Sequence, residues 1–221
     1  MKVFPTAYMP SMEYLVCCKA AVQILIEQEE TYPKQTLRNR CYVATSQGVQ
    51  PLIVPVSKPN GNNTKTKEIK ILDTSFKKHH LKTLKSVYKS SAFYDYYYDI
   101  VEDIIMFQTE SLIEYNFHAL KTFFKLLNIS TSMDFNNKFE QEPESSDLRI
   151  LLSKKNSYNS FQIIETYEKY SQVFEDKIGF VPNLSVLDLI FNAGPQSGTV
   201  INCIYENNFD SSLLGLFSFK S

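Results

Sequence analysis

The sequence predicts an α/β protein with a Rossmann-like sheet, and three observations predict it. Short runs at residues 2–4, 22–26 and 52–54, the last two rich in β-branched side chains, have the length and composition of buried strands. The first two are separated by a loop and a helical pattern, which makes a strand, loop, helix, strand unit at the N-terminus. Further on, apolar residues recur at steps of three and four across residues 76–127, the mark of helices that pack one face on a sheet or on each other.

Residues 2–10, KVFPTAYMP, begin as a strand and pass into a loop bracketed by Pro5 and Pro10, which neither helix nor central strand tolerates. Tyr14, Leu15, Cys18 and Ala21 then follow helical spacing before the second strand. Parallel pairing of the two strands implies a right-handed crossover. The loop holding Thr6 and Tyr8 then opens at the carboxyl edge of the sheet, where α/β folds bind ligands. From Glu27 the chain turns polar; residues 36–45 read as extended, and a Gln47-Gly48 turn followed by a strand over 51–56 completes a hairpin. Residues 58–67, KPNGNNTKTK, read as a solvated loop with a turn at Asn60-Gly61; a basic lid is the sharper use and a plain connection the simpler one.

A short strand is expected over 68–72. Asp73 or Ser75 then caps a helix over 76–87 that carries Phe76, His80, Leu84 and Val87 on one face. A second helix over 94–107 has Ile100, Val101, Ile104 and Ile105 as its stripe. The third has an apolar face of Ile113, Phe117, Leu120, Phe124 and Leu127 and stops at Asn128. Residues 130–147 are acidic and rich in Ser and Asn. They read as a polar connection between a core over 1–129 and a C-terminal segment over 148–221, the whole forming one structural unit. In that segment 148–152 reads as a strand. Pro182-Asn183 leads into a helix over 184–193, with Ser185 and Asp188 at capping-box spacing and Gly194-Pro195 as the stop.

At 221 residues the chain can bury a sizeable core, and 16 Phe and 14 Tyr with no Trp supply its bulk. A net charge of -1 argues against nucleic acid as a partner, so any anion site is local. Cys17, Cys18, Cys41 and Cys203 lack CxxC spacing and are expected reduced and buried. No signal peptide is read in the first residues and no apolar run nears the ~20 residues that span a bilayer, which points to a cytoplasmic protein with a peripheral place at the inner membrane left open. No metal or cofactor motif stands out; His79 and His80 are adjacent on a helix and point to different sides.

The densest functional signal lies between the strands at 24–26 and 52–54, where Tyr32, Lys34, Arg38, Asn39 and Arg40 cluster. Guanidinium forks match phosphate and carboxylate, so this set suits an anionic small molecule or a nucleotide-sugar-like substrate. The simpler reading is a hairpin whose arginines pair with Glu27, Glu29 or Glu30. On a strand Arg38 and Arg40 share a face and Asn39 takes the other, so the stretch supplies one wall of a site, with Tyr8 and His80 supplying others. His80 is the candidate general base, or else a hydrogen-bonded core histidine, and His118 is structural. Asp188 is a candidate base or hydroxyl acceptor with Asn192 four residues on; helix capping accounts for the same residues.

Three blocks in order, IEQEETYPKQTLRNRCYV with PLIVPV behind it, FKKHHLKTLKSVYKSSAFYDYY, and YSQVFEDKIGFVPNLSVLDLIFNAGPQS, resemble the WbqC-like protein family over residues 2 to about 202. The EQ, Y-x-KQ and RNRC variant is similar to members from the Bacteroidetes group. The resemblance implies a transferase-type enzyme of bacterial O-antigen or capsule polysaccharide biosynthesis, with aminoacyl or glycyl transfer the usual suggestion. The alternative is a non-catalytic ligand- or protein-binding component of such a pathway, docking through Phe93, Tyr94, Tyr96, Tyr97 and Tyr98. Residues 5–10 keep the Pro, Tyr and Pro of the family's loop but lack its Gln, whose role therefore does not carry over. Phe76 replaces a Trp, and the region between Leu152 and Tyr167 lacks a glycine-rich segment of longer members. A weaker similarity to the opening of nucleotidyltransferase-like folds comes without their histidine pair near Tyr8, so no ATP site follows.

Overall fold

The computed structural model describes residues 2–139, 148–152 and 165–209. Lys2–Pro5 (β1) leads through the buried loop at 6–11 to Met12–Lys19 (α1) and then Gln23–Glu27 (β2). The two strands pair in parallel, Lys2 opposite Ile24 and Pro5 opposite Glu27. Seven of the eight residues of α1 are buried, more than the one face read from its spacing and including the charged Glu13, and only Lys19 reaches the surface.

Arg40–Thr45 (β3) and Gly48–Ile53 (β4) form the expected hairpin, Arg40 opposite Ile53 and Thr45 opposite Gly48. It stands as its own two-stranded sheet and begins four residues later than read from sequence, because Pro33 and Gln35, whose φ is +59°, turn the chain before it extends. The strand expected over 51–56 is divided: Pro55 lacks the N–H a ladder needs, and Val56–Ser57 (β5) pairs instead with Lys70–Ile71 (β6). The basic loop between them is pinned, with Tyr32 N donating to Thr64 O, Thr66 N to Glu30 O and Lys67 N to Gln28 O.

Ser75–Tyr88 (α2) buries Phe76, His80, Leu84 and Val87, and Asp73 Oδ1 accepts from Ser75 N at 2.7 Å at its start. Tyr94–Met106 (α3) buries Val101, Ile104 and Ile105 with Ile100 at the margin. Leu112–Leu126 (α4) is capped by Ser111 and is followed by Asn128 at φ +54°. Ser132–Phe135 (β7) then adds a third parallel strand to the free side of β2, an element the polar reading of 130–147 did not anticipate. Thr131 Oγ1 donates to the Cys18 and Ala21 carbonyls and delivers the chain to that edge.

Leu148–Leu151 (α5) is a helical turn packed on β1, not the strand read there; the buried residues Leu148, Arg149 and Leu152 follow helical spacing, not alternation. Glu175–Ile178 (α6), Val186–Ala193 (α7) and Ser197–Asn208 (α8) complete the order. Ser185 caps α7 by accepting from Leu187 N at 3.3 Å, but Asp188 does not close a capping box, since its carboxylate turns into the core. Gly194 at φ +52° ends α7. One apolar cluster runs from Phe4 to Phe209. Cys17, Cys18 and Cys41 are free and buried, whereas Cys203 is half-buried. The acidic stretch 140–147 and the polar stretch 154–160 lie outside the described residues.

Candidate functional site

The loop after β1 sits at the carboxyl edge of the parallel sheet, and a segment far along the chain covers it. Met12 N donates to Leu184 O at 3.2 Å and Glu13 N to Asn183 Oδ1 at 3.0 Å, so the first amides of α1 are satisfied by the protein itself. Val186 N bonds Pro10 O, and Ser185 Oγ donates to Met9 O at 2.9 Å. Met9 is held at φ +43°, a left-handed conformation uncommon for a non-glycine residue and one that collects at ligand sites. Between loop and strap remains a cleft of about 10 Å³, room for one water, lined by Tyr8, Ser11, Arg40, Tyr42, Asn183 and Ser185.

Arg40 lines this cleft, and its Nε is buried without a hydrogen-bond partner among the described residues. Tyr32 Oη, Asn39 Oδ1 and Asn116 Oδ1 are likewise buried and unpartnered, although Asn39 Nδ2 donates to Val54 O and Asn116 Nδ2 to Arg38 O. Burial pushes the Tyr32 hydroxyl up to about 12, opposed by the positive charges of Arg38 and Arg40. Lys58 donates to Tyr32 O and lies 4.9 Å from the centre of its ring. Lys34 is exposed and outside the cleft lining; its charge adds to burial in lowering the Lys58 pKa.

Tyr8 Oη lies 2.8 Å from His80 Nδ1, so the structure brings these two together with Tyr8 facing the cleft and His80 behind it. Burial, then His79, depresses the imidazole to about 4 against the pull of a hydrogen bond to the Ile53 backbone, and burial raises the Tyr8 hydroxyl well above its ordinary value. Both are therefore neutral at pH 7. Cys41, also at the cleft, is driven up to about 12 by burial and is a thiol, not a thiolate.

Arg38 takes a different place from Arg40. It is almost fully buried, donating from Nε at 2.7 Å and from an Nη at 2.9 Å to the Glu30 carboxylate, with Thr36 on its remaining edge. It precedes β3, so the shared strand face read from sequence does not arise, and its forked edge is already occupied. Glu27 pairs with Arg149 at 3.0 Å and accepts from the Glu29 and Glu30 amides. This buried two-acid, two-arginine network braces the end of β2; Glu29, named with them as an arginine partner, instead takes Lys65 and Lys67.

Asp188 is separate from the cleft lining. Its carboxylate accepts from Tyr88 Oη at 2.8 Å, Tyr170 Oη at 2.7 Å and Gln172 Nε2 at 2.9 Å, while Asn192 Nδ2 donates to its backbone carbonyl. Burial without a cation raises it to about 6, the three donors only partly offsetting that. His118 stacks on Phe107 with ring centres 3.9 Å apart. Sequence reasoning missed Asn183 and Ser185 as cleft walls; the signal was the Pro-Asn-Leu-Ser run, read only as a helix lead-in. Among the described residues no three metal-ligating side chains converge, and no helix is long and apolar enough to cross a membrane.

A three-stranded parallel sheet with helices packed around it defines an α/β protein, and a small cleft lined by Arg40 lies at its carboxyl edge. The chain belongs to the WbqC-like protein family, whose family model matches residues 6–161 and 152–200. It is also similar to an uncharacterized protein, Rv1507c, of Mycobacterium tuberculosis (strain ATCC 25618 / H37Rv), 25% identical over 215 residues that span 86% of this chain and 92% of that one. No solved structure matches.

Proposed function

We propose that this protein is a cytoplasmic group-transferring enzyme of bacterial surface-polysaccharide biosynthesis, in which Arg40 holds an anionic substrate such as a nucleotide sugar or an acyl donor. The observation that carries the reading is the buried Arg40 Nε without a partner, placed at the carboxyl edge of a parallel sheet. A carboxylate or phosphate oxygen would accept from it, and the unpartnered Tyr32 hydroxyl is a second donor within the influence of the same guanidinium. Lys58, held against Tyr32, adds positive charge beside that ring, and Lys34 lies close enough to act on Lys58. Tyr8 gives its proton to the ring of neutral His80, which itself bonds the Ile53 backbone, so the Tyr8 hydroxyl oxygen faces the cleft as an acceptor, suited to a hydroxyl of the acceptor substrate rather than to a developing negative charge. Catalysis in this reading rests on positioning and electrostatic stabilisation, with the nucleophile supplied by the acceptor substrate. Asp188 and Asn192 hold the scaffold, and Asn39 and Arg38 hold the loop that presents Arg40.

The state of the side chains at the cleft favours a second reading, a non-catalytic ligand-binding component of the same kind of pathway: burial keeps Tyr8 and Cys41 protonated and His80 neutral, so none is an anionic nucleophile, and in either reading the strap moves to admit more than one water. Calorimetric titration with nucleotide sugars, ATP, CoA, amino acids and inorganic phosphate separates the two. A ligand whose affinity falls about tenfold to a hundredfold in Arg40→Ala, the weight of one charged hydrogen bond, supports the site. Turnover of that ligand supports the enzyme, binding without turnover the alternative, and absence of binding by every anion tested refutes both.

A further inference from the structure

The segment from α2 through α3 separates charge by helix. Between Ser75 and Tyr94 the sequence has five lysines and no acid, while Tyr94–Met106 has four acids and no Lys or Arg. Lys78, Lys82, Lys85 and Lys89 are exposed at steps of four, three and four, so they form one stripe on α2 and its C-cap. Asp95, Asp99 and Asp103 form an exposed stripe at steps of four on α3, with Tyr96 beside them at 77% exposure. The two helices pack against each other, yet no ion pair joins their stripes among the described residues.

An ordinary solvated helix face mixes signs, because opposite charges three or four residues apart support the helix and like charges there oppose it. Here each helix carries only like-charge neighbours, and Lys77 and Lys78 stand near the positive end of the α2 dipole. Each stripe is thus unfavourable by itself, and because no ion pair joins it to its neighbour among the described residues, its charges stay open to the other sign brought from outside. The rest of the aromatic patch is turned inward: Tyr94 is buried, Tyr97 and Tyr98 pack on the core, and the Phe93 ring closes over Gly194, which leaves Tyr96 as the exposed member.

We infer that a second copy of this chain docks on this face. Two neighbouring stripes of opposite sign are self-complementary: a two-fold axis between them sets each α2 against the partner's α3, with Tyr96 as the apolar anchor on each side. An acidic protein or a membrane of anionic lipid would satisfy only the lysine half and leave the aspartates facing like charge.

Sedimentation velocity of the full chain at tens of micromolar tests this, in about 50 mM and about 500 mM NaCl. The wild type is expected to be a dimer at low salt and to dissociate at least tenfold more readily at high salt. Lys82→Glu with Lys85→Glu, and separately Asp99→Lys with Asp103→Lys, should each give a folded monomer by circular dichroism. Mixing the two monomeric variants should restore a heterodimer, because each altered helix then meets its complement. A wild type that is monomeric in both salts overturns the inference, as does a dimer that survives both charge reversals. So does a monomer that binds phosphatidylserine vesicles through the lysine stripe, an outcome that assigns the face to a membrane surface. Should either double variant fail to fold, Tyr96→Ser replaces it, with dimer weakening of at least tenfold expected and an unchanged dimer counting against the inference.

Discussion

His80 and Asp188 should give the stability of this protein two opposing pH slopes in one narrow window. Burial lowers His80 from 6.5 to about 4, so the folded state binds its proton less tightly than the unfolded chain does. The stability conferred by keeping that ring neutral is intact above pH 6.5 and is lost as pH falls toward 4. Asp188 is raised from 3.8 to about 6, so the folded state holds its proton more tightly. Acidification through that range favours the fold, and above pH 6 the full cost of a buried, cation-free carboxylate is present. Each shift corresponds to about 3 kcal/mol across the window, with opposite signs, so the two contributions nearly cancel in the wild type.

Single substitutions expose each slope. Urea denaturation at steps from pH 4 to 7.5, on wild type, Asp188→Asn and His80→Gln, isolates them because a lost hydrogen bond shifts stability by an amount independent of pH, while the titrating group changes its pH profile. Relative to wild type, Asp188→Asn should fare about 3 kcal/mol better at pH 7 than at pH 4, and His80→Gln about 3 kcal/mol better at pH 4 than at pH 7. Parallel profiles for wild type and Asp188→Asn would refute the argument, since they would mean that Tyr88, Tyr170 and Gln172 hold the carboxylate as well as water does.

Breaking the Glu30–Arg38 pair with Arg38→Leu should cost about 3–5 kcal/mol in chemical denaturation by stranding a buried carboxylate, and adding Glu30→Leu should return most of it. Gly194→Ala should lose on the order of 2–3 kcal/mol, read as a lowered thermal midpoint, because φ is +52° and a Cβ would run into the Phe93 ring.

What was legible in the sequence is what short-range pattern encodes. The β1–α1–β2 unit and the buried stripes of α2 and α3 follow from residues within one or two turns of each other, while the stripe read on α4 is only part of its buried face, which centres on Leu112, Tyr115, Ala119 and Phe123 and leaves Phe117 half-buried. Strand β7 was not legible, since Ser132, Met133, Asp134 and Phe135 are exposed or half-buried and extend only because β2 offers a free edge. In the site, Tyr8 was readable as a wall from the strand-loop-helix layout, whereas His80, 72 residues on and on a different helix, was only proposed to share its cleft, and the walls supplied by Asn183 and Ser185 come from more than 170 residues away, where no local pattern shows what they face.

The different fates of Arg38 and Arg40 show why spacing alone could not sort the cluster. Glu30 is drawn into the interior with the end of β2, and a buried carboxylate requires a cation with a matching fork; Arg38, still in the turn, can bend back to it. Arg40 is the first residue of β3, and pairing with Ile53 fixes its backbone in an extended conformation that aims it at the loop after β1. Burial of its Nε there without an acceptor costs free energy that a water or an anion recovers. Because Leu184 O and Asn183 Oδ1 already accept from the Met12 and Glu13 amides, those two amides are not free for an anion, and in the proposed reading its binding falls to the Arg40 guanidinium.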